Sequence, residues 1–193
     1  MEIKFDTTIT GKFIILRKAE LSDAEDIYSW RSGHSGRFLR HPEGYSVAMQ
    51  EAWIKSRSDK EINYIIYDKN TLEKVGMISI YNVNNDDNVA EVGRLLLSDY
   101  YLTKSNPYGL EALFLCYNYV FNVMSFRKIT GVIASVNNAM LKLQLYLGMQ
   151  EEGYLKRHTK INQEYKDLHI LSLFKEDFGF FKNRILILLK SFN

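Results

Sequence analysis

The chain has 193 residues, with 46% hydrophobic and 25% charged positions, values close to those of ordinary soluble folded proteins. Disorder, collagen and low-complexity arrays are excluded, and the length fits a single domain. Lys plus Arg number 25 against 23 for Asp plus Glu, a net charge of +2, so a polyanionic partner such as nucleic acid is disfavoured. At this size a compact fold buries about 70% of the unfolded chain's surface, and 26 aromatic residues supply bulky core material.

Cys116 is the single cysteine, which excludes an intramolecular disulfide and a multi-cysteine metal site and fits a reducing compartment. No signal-peptide h-region follows Met1, and no apolar run approaches eighteen residues, so the expectation is a soluble cytoplasmic protein. No pair of His residues has metal-ligand spacing, and no metal is expected.

In chain order, Lys12–Arg17 reads as a buried strand. Ser22 with Glu25 has capping-box spacing and predicts a helix whose face carries Ala24, Ile27, Tyr28 and Arg31. Residues 32–45 read as irregular, and Ser46 opens a second helix with Met49, Ala52 and Trp53 on its apolar face. Strands are expected at Asn63–Asp68, Lys74–Asn82 and Val89–Ser98, the last two joined by a polar turn over 83–88. Leu110, Leu113, Phe114, Tyr117, Phe121 and Met124 recur at helical spacing. A strand at Lys128–Ala134 precedes a helix over Asn138–Leu147 that ends at Gly148. A hairpin over Glu152–His158 and Tyr165–Phe174 and an amphipathic segment, Phe178–Phe192, complete the order. The order strand, two helices, three strands, helix, strand, helix, two strands, helix predicts a mixed sheet with helices on its faces, an α+β, or α/β layered, domain.

The strand Val89–Leu97 leads through Thr103-Lys104-Ser105-Asn106 into a helix. Such a unit aims backbone N–H groups and a positive helix end at one place, which suits a phosphate. Asn106 and Pro107 equally suit an N-cap and first helical residue, so the loop also reads as a plain helix start.

Trp30-Arg31-Ser32, Ala90-Glu91-Val92-Gly93, Glu111-Ala112, Asn137 eleven residues before Gly148-Met149, and Glu152-Gly153-Tyr154-Leu155-Lys156-Arg157-His158 with Tyr165-Lys166-Asp167 and Leu173-Phe174-Lys175-Glu176 follow one another along the chain. In this order they resemble the GNAT superfamily of acyl-CoA-dependent N-acyltransferases, nearest its ribosomal-protein and amino-sugar branch. The resemblance runs from about Phe13 to Phe178 and implies a mixed, mostly antiparallel sheet flanked by helices. It implies coenzyme A held by the loop and first helical turn, Lys104, Ser105, Asn106, Tyr108, Gly109 and Leu110, by the strand edge at Leu95, Leu96 and Leu97, and by Asn137.

Two positions depart from the family pattern. Pro107 stands at the first glycine of the pyrophosphate loop and removes one backbone donor, and about three extra residues separate strand from loop. Gln144 stands where many members carry the tyrosine that protonates the leaving thiolate. Tyr146 is two residues on, about 200° around a helix, and cannot substitute.

The resemblance makes Glu91 the candidate base, against a reading in which it merely pairs with a cation across the hairpin. The acceptor is expected between residues 31–45 and the C-terminal hairpin, with Trp30, Arg31, His34, His41 and Tyr45 as a stacking and cationic surface for a dTDP- or UDP-linked amino sugar. Asp167 reads as structural, holding the hairpin beside Tyr165 and His158. The apolar tail from Phe178 is expected to dock on its own domain or on a second subunit, as in a homodimer, in preference to a membrane surface. The function implied is transfer of an acetyl or larger acyl group from coenzyme A to a primary amine. Acetylation of a protein N-terminus and a non-catalytic acyl-CoA-binding module are the alternatives.

Overall fold

A computed structural model describes residues 5–192. Eight strands form one sheet in the order β1-β2-β3-β4-β5-β6-β8-β7. They are β1 (Thr8–Thr10), β2 (Ile14–Lys18), β3 (Ile62–Asp68), β4 (Lys74–Asn84), β5 (Val89–Leu97), β6 (Lys128–Ala134), β7 (Gln150–Ile161) and β8 (Glu164–Phe174). Every neighbouring pair is antiparallel except β5 and β6, which are parallel. The expected mixed, mostly antiparallel sheet is the sheet observed.

Helices cover both faces. α1 (Ala24–Ser32) and α2 (Val47–Lys55) lie on one side, where Ile27 and Trp30 pack with Ile65, Met77 and Leu96. On the other side α4 (Tyr108–Asn118), α5 (Asn138–Leu147) and α6 (Phe178–Lys190) enclose the larger core. A single turn, α3 (Asp99–Leu102), precedes α4, which continues as a wider π turn over Tyr119–Val123. The tail docks on its own domain: Phe178, Phe181, Ile185 and Leu189 are buried, with the Phe181 ring 4.6 Å from Tyr117 and Phe178 4.9 Å from Phe121.

The entry to α1 differs from the expected Ser22 cap. Asp23 closes a short 3₁₀ turn, accepting from the Glu20 N–H at 2.8 Å. Asp23 suits this place because Arg17 (2.9 Å) and Lys74 (2.8 Å) neutralise its wholly buried carboxylate. Burial works against the anion, but the Lys74 and Arg17 contacts and the Glu20 N–H hold the Asp23 carboxyl below the usual carboxylate range. On α2, Met49 and Ala52 face outward and Gln50 is buried, accepting from Tyr45 Oη at 2.7 Å. That bond fixes the loop before the helix, and it rotates the face expected from apolar spacing.

One buried carboxylate joins the sheet's edge to α4. Glu111 Oε1 accepts from the Lys12 N–H at 2.7 Å, and Oε2 from the Phe13 and Ile14 N–H groups at 2.8 and 2.9 Å. The turn between β1 and β2 is thus tied to the helix that opens beside the candidate site. Among the described residues no helix is long and apolar enough to cross a membrane.

Candidate active site

Two features of β5 create the site. The strand pairs with β6 only at Val89, Ala90 and Glu91, opposite Lys128, Ile129 and Thr130, and then the two strands part. A bulge follows: Met77 and Ser79 of β4 sit opposite Leu96 and Gly93, so two steps on β4 meet three on β5, and Arg94 adopts a φ of 54°. The bulge reverses the alternation of faces. Val92 points into the α4 side, Leu96 packs under α1, and Leu95 and Leu97 return to the α4 side.

Between the parted strands lie two adjoining cavities. The outer one, about 360 Å³, is walled by Leu95, Leu97, Leu110 and Leu143, with Lys104, Asn106 and Gly109 at the start of α4 and Ser35 and Phe38 opposite. The inner wedge, about 130 Å³, reaches Tyr117, Gln144 and Met149 and shares Phe38, Leu95, Asn137 and Met140 with the outer one. Leu39, at the mouth of the wedge, also lines a third cavity of about 440 Å³ with Arg40, His41, Glu43, Lys160 and Asn162. A helix start, an apolar slot along an open strand edge, a narrow wedge and a basic antechamber therefore follow one another.

The residues singled out from the sequence divide. Leu95, Leu97, Lys104, Asn106, Gly109, Leu110 and Asn137 line the slot. Leu96 faces the other side of the sheet. Ser105 is exposed and outside the lining, and the Tyr108 N–H donates to Asn106 Oδ1 at 3.1 Å. The Tyr108 hydroxyl turns away to Asp68, and burial together with that carboxylate pushes its phenol up. Asn137 caps α5 by accepting from the Met140 N–H at 3.3 Å while also lining both cavities.

Among the described residues Glu91 makes no ion pair with a cation. Oε1 accepts from Tyr81 Oη at 2.5 Å and Oε2 from Asn82 Nδ2 at 2.9 Å. Burial, with the Glu91 charge added, pushes the Tyr81 phenol far up, so the hydroxyl stays protonated and donating. A Cβ at Gly93 would lie 3.0 Å from that hydroxyl, so the Tyr81–Glu91 pair sits beside a residue of the wedge lining. Arg94 closes the group, 3.0 Å from Glu61 and stacked 3.9 Å over the Tyr81 ring.

Of the acceptor candidates, His41 alone lines the antechamber, its ring 5.2 Å from Tyr45 and its Nε2 3.3 Å from the Gly36 carbonyl. Trp30 is core, and its spacing of three from Ile27 is the signal that could have shown it. Arg31 and Tyr45 brace the loop from behind: Arg31 donates to the Arg40 carbonyl at 3.2 Å and lies over the Tyr45 ring. His34 serves through its backbone, donating to Asp99 at 3.2 Å. Phe38, Leu39, Arg40 and Lys160 line the cavities of the candidate site and were not among the residues expected there. Phe38 ends a short 3₁₀ turn (His34–Phe38), Leu39 and Arg40 follow it on irregular backbone, and Lys160 is next to last in β7, places too short or too near an end for periodicity to mark a side chain's direction. Asp167 does hold the hairpin, but through Tyr154 Oη (2.5 Å) and the Arg157 N–H (2.6 Å), not through Tyr165 and His158.

A larger groove, about 820 Å³, lies between Thr10–Phe13, α4 and α6. Its walls are mainly apolar, and its buried carboxylate, Glu111, is already occupied by three backbone donors. In the slot, by contrast, open backbone, a helix start and a basic mouth converge.

A strand edge facing an apolar slot that begins at a helix N-terminus defines a protein built to hold a long, amide-bearing phosphorylated carrier. The family model described as "Acetyltransferase (GNAT) domain" matches residues 14–150, more than half of the chain, and the chain belongs to that family. It is similar to the protein named Probable N-acetyltransferase YjcK of Bacillus subtilis (strain 168), 22% identical over 182 residues, 88% of this chain and 98% of that one. The uncharacterized N-acetyltransferase p20 of Bacillus licheniformis is 22% identical over 178 residues, 89% and 98% of the two chains. Among solved structures, a GCN5-related N-acetyltransferase from Brucella melitensis superposes with a TM-score of 0.81 at 19% identity, covering 98% of this chain and 87% of that one. A chimera of the spermidine N-acetyltransferase SpeG from Vibrio cholerae and hSSAT gives 0.77 at 18% identity, covering 87% and 99%. The chain is thus an acyl-CoA-dependent N-acyltransferase with acetyl-CoA as co-substrate.

Proposed function

We propose that this protein moves the acetyl group, or a larger acyl group, of an acyl-CoA to the primary amine of a small acceptor that also carries an anionic group. A nucleotide-linked amino sugar of the dTDP or UDP kind is the acceptor that fits best. The observation that carries the reading is the line of three cavities, with the basic one, Arg40, His41 and Lys160 against a single acid, Glu43, next to the narrow wedge.

The chemistry follows from the residues. Gly109 and Leu110 at the start of α4, with Lys104 beside them, offer donors and a cation to a pyrophosphate. The edge of β5 beyond Glu91 offers main-chain groups to the amides of pantetheine, and Leu95 and Leu97 cover its methylenes. The amine must be neutral to attack, and Glu91, beside the wedge and held by Tyr81 and Asn82, takes the proton through water. Nitrogen bonds to the thioester carbon, the carbon–sulfur bond breaks, and amide and thiol are the products.

A polyamine acceptor such as that of the SpeG proteins is disfavoured by the same antechamber, because a polycation meets Arg40 and Lys160 there. The test is thiol release from acetyl-CoA with dTDP- and UDP-amino sugars, spermidine and an N-terminal peptide. The reading expects turnover with a nucleotide-linked amine, and a loss of at least about tenfold in kcat/KM for it, but not for a neutral amine, in R40E/K160E. Turnover of spermidine or of the peptide in preference to every nucleotide-linked amine sinks it.

A further inference from the structure

Acyl transfer to an amine expels a thiolate, and the wedge has few groups to receive it. Its charged or titratable side chains are Arg94 and Tyr117. Arg94 is committed to Glu61 (3.0 Å) and Asn63 (3.2 Å). Tyr117 is wholly buried, and burial pushes its phenol far above the ordinary range, so giving a proton to a more acidic thiol is uphill.

Gln144 supplies a different device. Its side chain is buried and lines the same wedge, and its Oε1 accepts from Tyr117 Oη at 3.1 Å. Tyr117 Oη also lies 3.4 Å from Met149 Sδ, a weaker acceptor than an amide oxygen, so its one hydrogen goes to Gln144 Oε1 and the nitrogen end of the amide is left for the rest of the wall. The partner of Gln144 Nε2 is Met140 Sδ at 3.8 Å, a weak acceptor for one of two N–H groups. The wedge therefore contains a buried, oriented donor with most of its hydrogen-bonding capacity unused, and leaving it so costs stability unless a ligand takes it up.

We propose that the Gln144 amide N–H binds the sulfur of coenzyme A as it departs, stabilising the thiolate without protonating it, and that Tyr117 is the positioning residue that holds the amide in this sense. The proposal rests on the reading of the wedge as the thioester site. The electron pair of the broken carbon–sulfur bond goes to sulfur. The proton lost by nitrogen goes through Glu91 to water, and the thiolate takes a proton from solvent on release. Stabilisation of a developing charge by a fixed dipole replaces general acid catalysis at this position.

The test is the acidity of the bound thiol. The complex with coenzyme A is titrated from about pH 6 to 9.5 by thiolate ultraviolet absorbance, with the desulfo-CoA complex as the blank for tyrosinate. Cys116, the single cysteine, is buried and its thiol is pushed up by burial, so it adds no signal in this range. The wild-type complex is expected to titrate about one pH unit below free coenzyme A, a tenfold preference for thiolate. Q144M, close in volume and lacking the donor, should return the bound thiol to the free value or above and lower kcat with little change in the KM for acetyl-CoA. Y117F, which removes one oxygen and frees the amide to turn, should lose part of the shift, and it decides the matter if Q144M does not fold. A bound thiol that titrates alike in wild type, Q144M and Y117F overturns the proposal while leaving the acyltransferase reading intact. Failure of the wild type to bind coenzyme A overturns both.

Discussion

Glu111 can be removed to ask whether a single buried carboxylate fastens the edge of the sheet to the helix that opens the cofactor slot. In Glu111→Ala three backbone donors lose their acceptor at once, those of Lys12, Phe13 and Ile14, now at 2.7, 2.8 and 2.9 Å. Lys12 is exposed and water replaces its bond, whereas Ile14 is buried and Phe13 half-buried. The buried Ile14 donor left unsatisfied costs about 1–3 kcal/mol and the half-buried Phe13 donor less, so the expected loss is about 2–4 kcal/mol. Glu111→Gln keeps one oxygen for Phe13 and Ile14 and turns an NH₂ toward Lys12, so its loss should be smaller, about 1–2 kcal/mol. Urea unfolding followed by circular dichroism measures both, with an unchanged m-value showing that the denatured state is the same. An alanine variant within about 0.5 kcal/mol of wild type would refute the reasoning, because surface substitutions away from structural features cost no more than that.

Glu91→Gln removes the proposed base but keeps the oxygen that accepts from Tyr81; kcat/KM should fall about 10²-fold or more, and an unchanged value across about pH 6–9 excludes the role. Asp23 is held below the usual carboxylate range, so its stabilising contribution is complete above the unfolded pKa of about 3.9 and is lost as pH falls through the lower folded value. Asp23→Asn, which leaves Lys74 and Arg17 without their shared anion, should cost about 2–4 kcal/mol at neutral pH and flatten stability against pH below about 4; an acid limb as steep as the wild type's counts against it. A Cβ at Gly36 would lie 1.7 Å from the Arg31 carbonyl oxygen, so Gly36→Ala must displace the turn that carries Ser35 and Phe38 into the slot. Its KM for acetyl-CoA should rise several-fold, and an unaltered KM means that this turn does not help form the slot.

Much of the fold was legible because its signals are local. Gly148 stops α5 with a φ of 111°, and Asn162 and Gln163, both at positive φ, turn the last hairpin inside the expected loop. β1 was missed because Thr8-Ile9-Thr10 is too short to show alternation, and α3 because four residues show no helical period. The slot itself was legible only through resemblance. Nothing in Val89–Leu97 announces that the strand leaves its neighbour after Glu91 or that Arg94 bulges, since both depend on how β4 and β6 sit beside it. Of the side chains expected on the acceptor side, His41 lines the third cavity, and Trp30, Arg31, His34 and Tyr45 do not. Trp30 and Tyr45 are large and aromatic, the properties of a stacking surface, and the fold uses them to pack α1 and to brace the loop. Gln144 stood out as a departure, but its meaning needed the Tyr117 hydroxyl, 27 residues away in sequence and hydrogen-bonded to it.

The most direct test of the central claim is a crystal structure of the protein with coenzyme A. The pyrophosphate should lie at Gly109 and Leu110, pantetheine along Leu95–Leu97, and the sulfur in the wedge beside Gln144. Coenzyme A seated in the groove between α4 and α6, or elsewhere away from the parted strands, would contradict it.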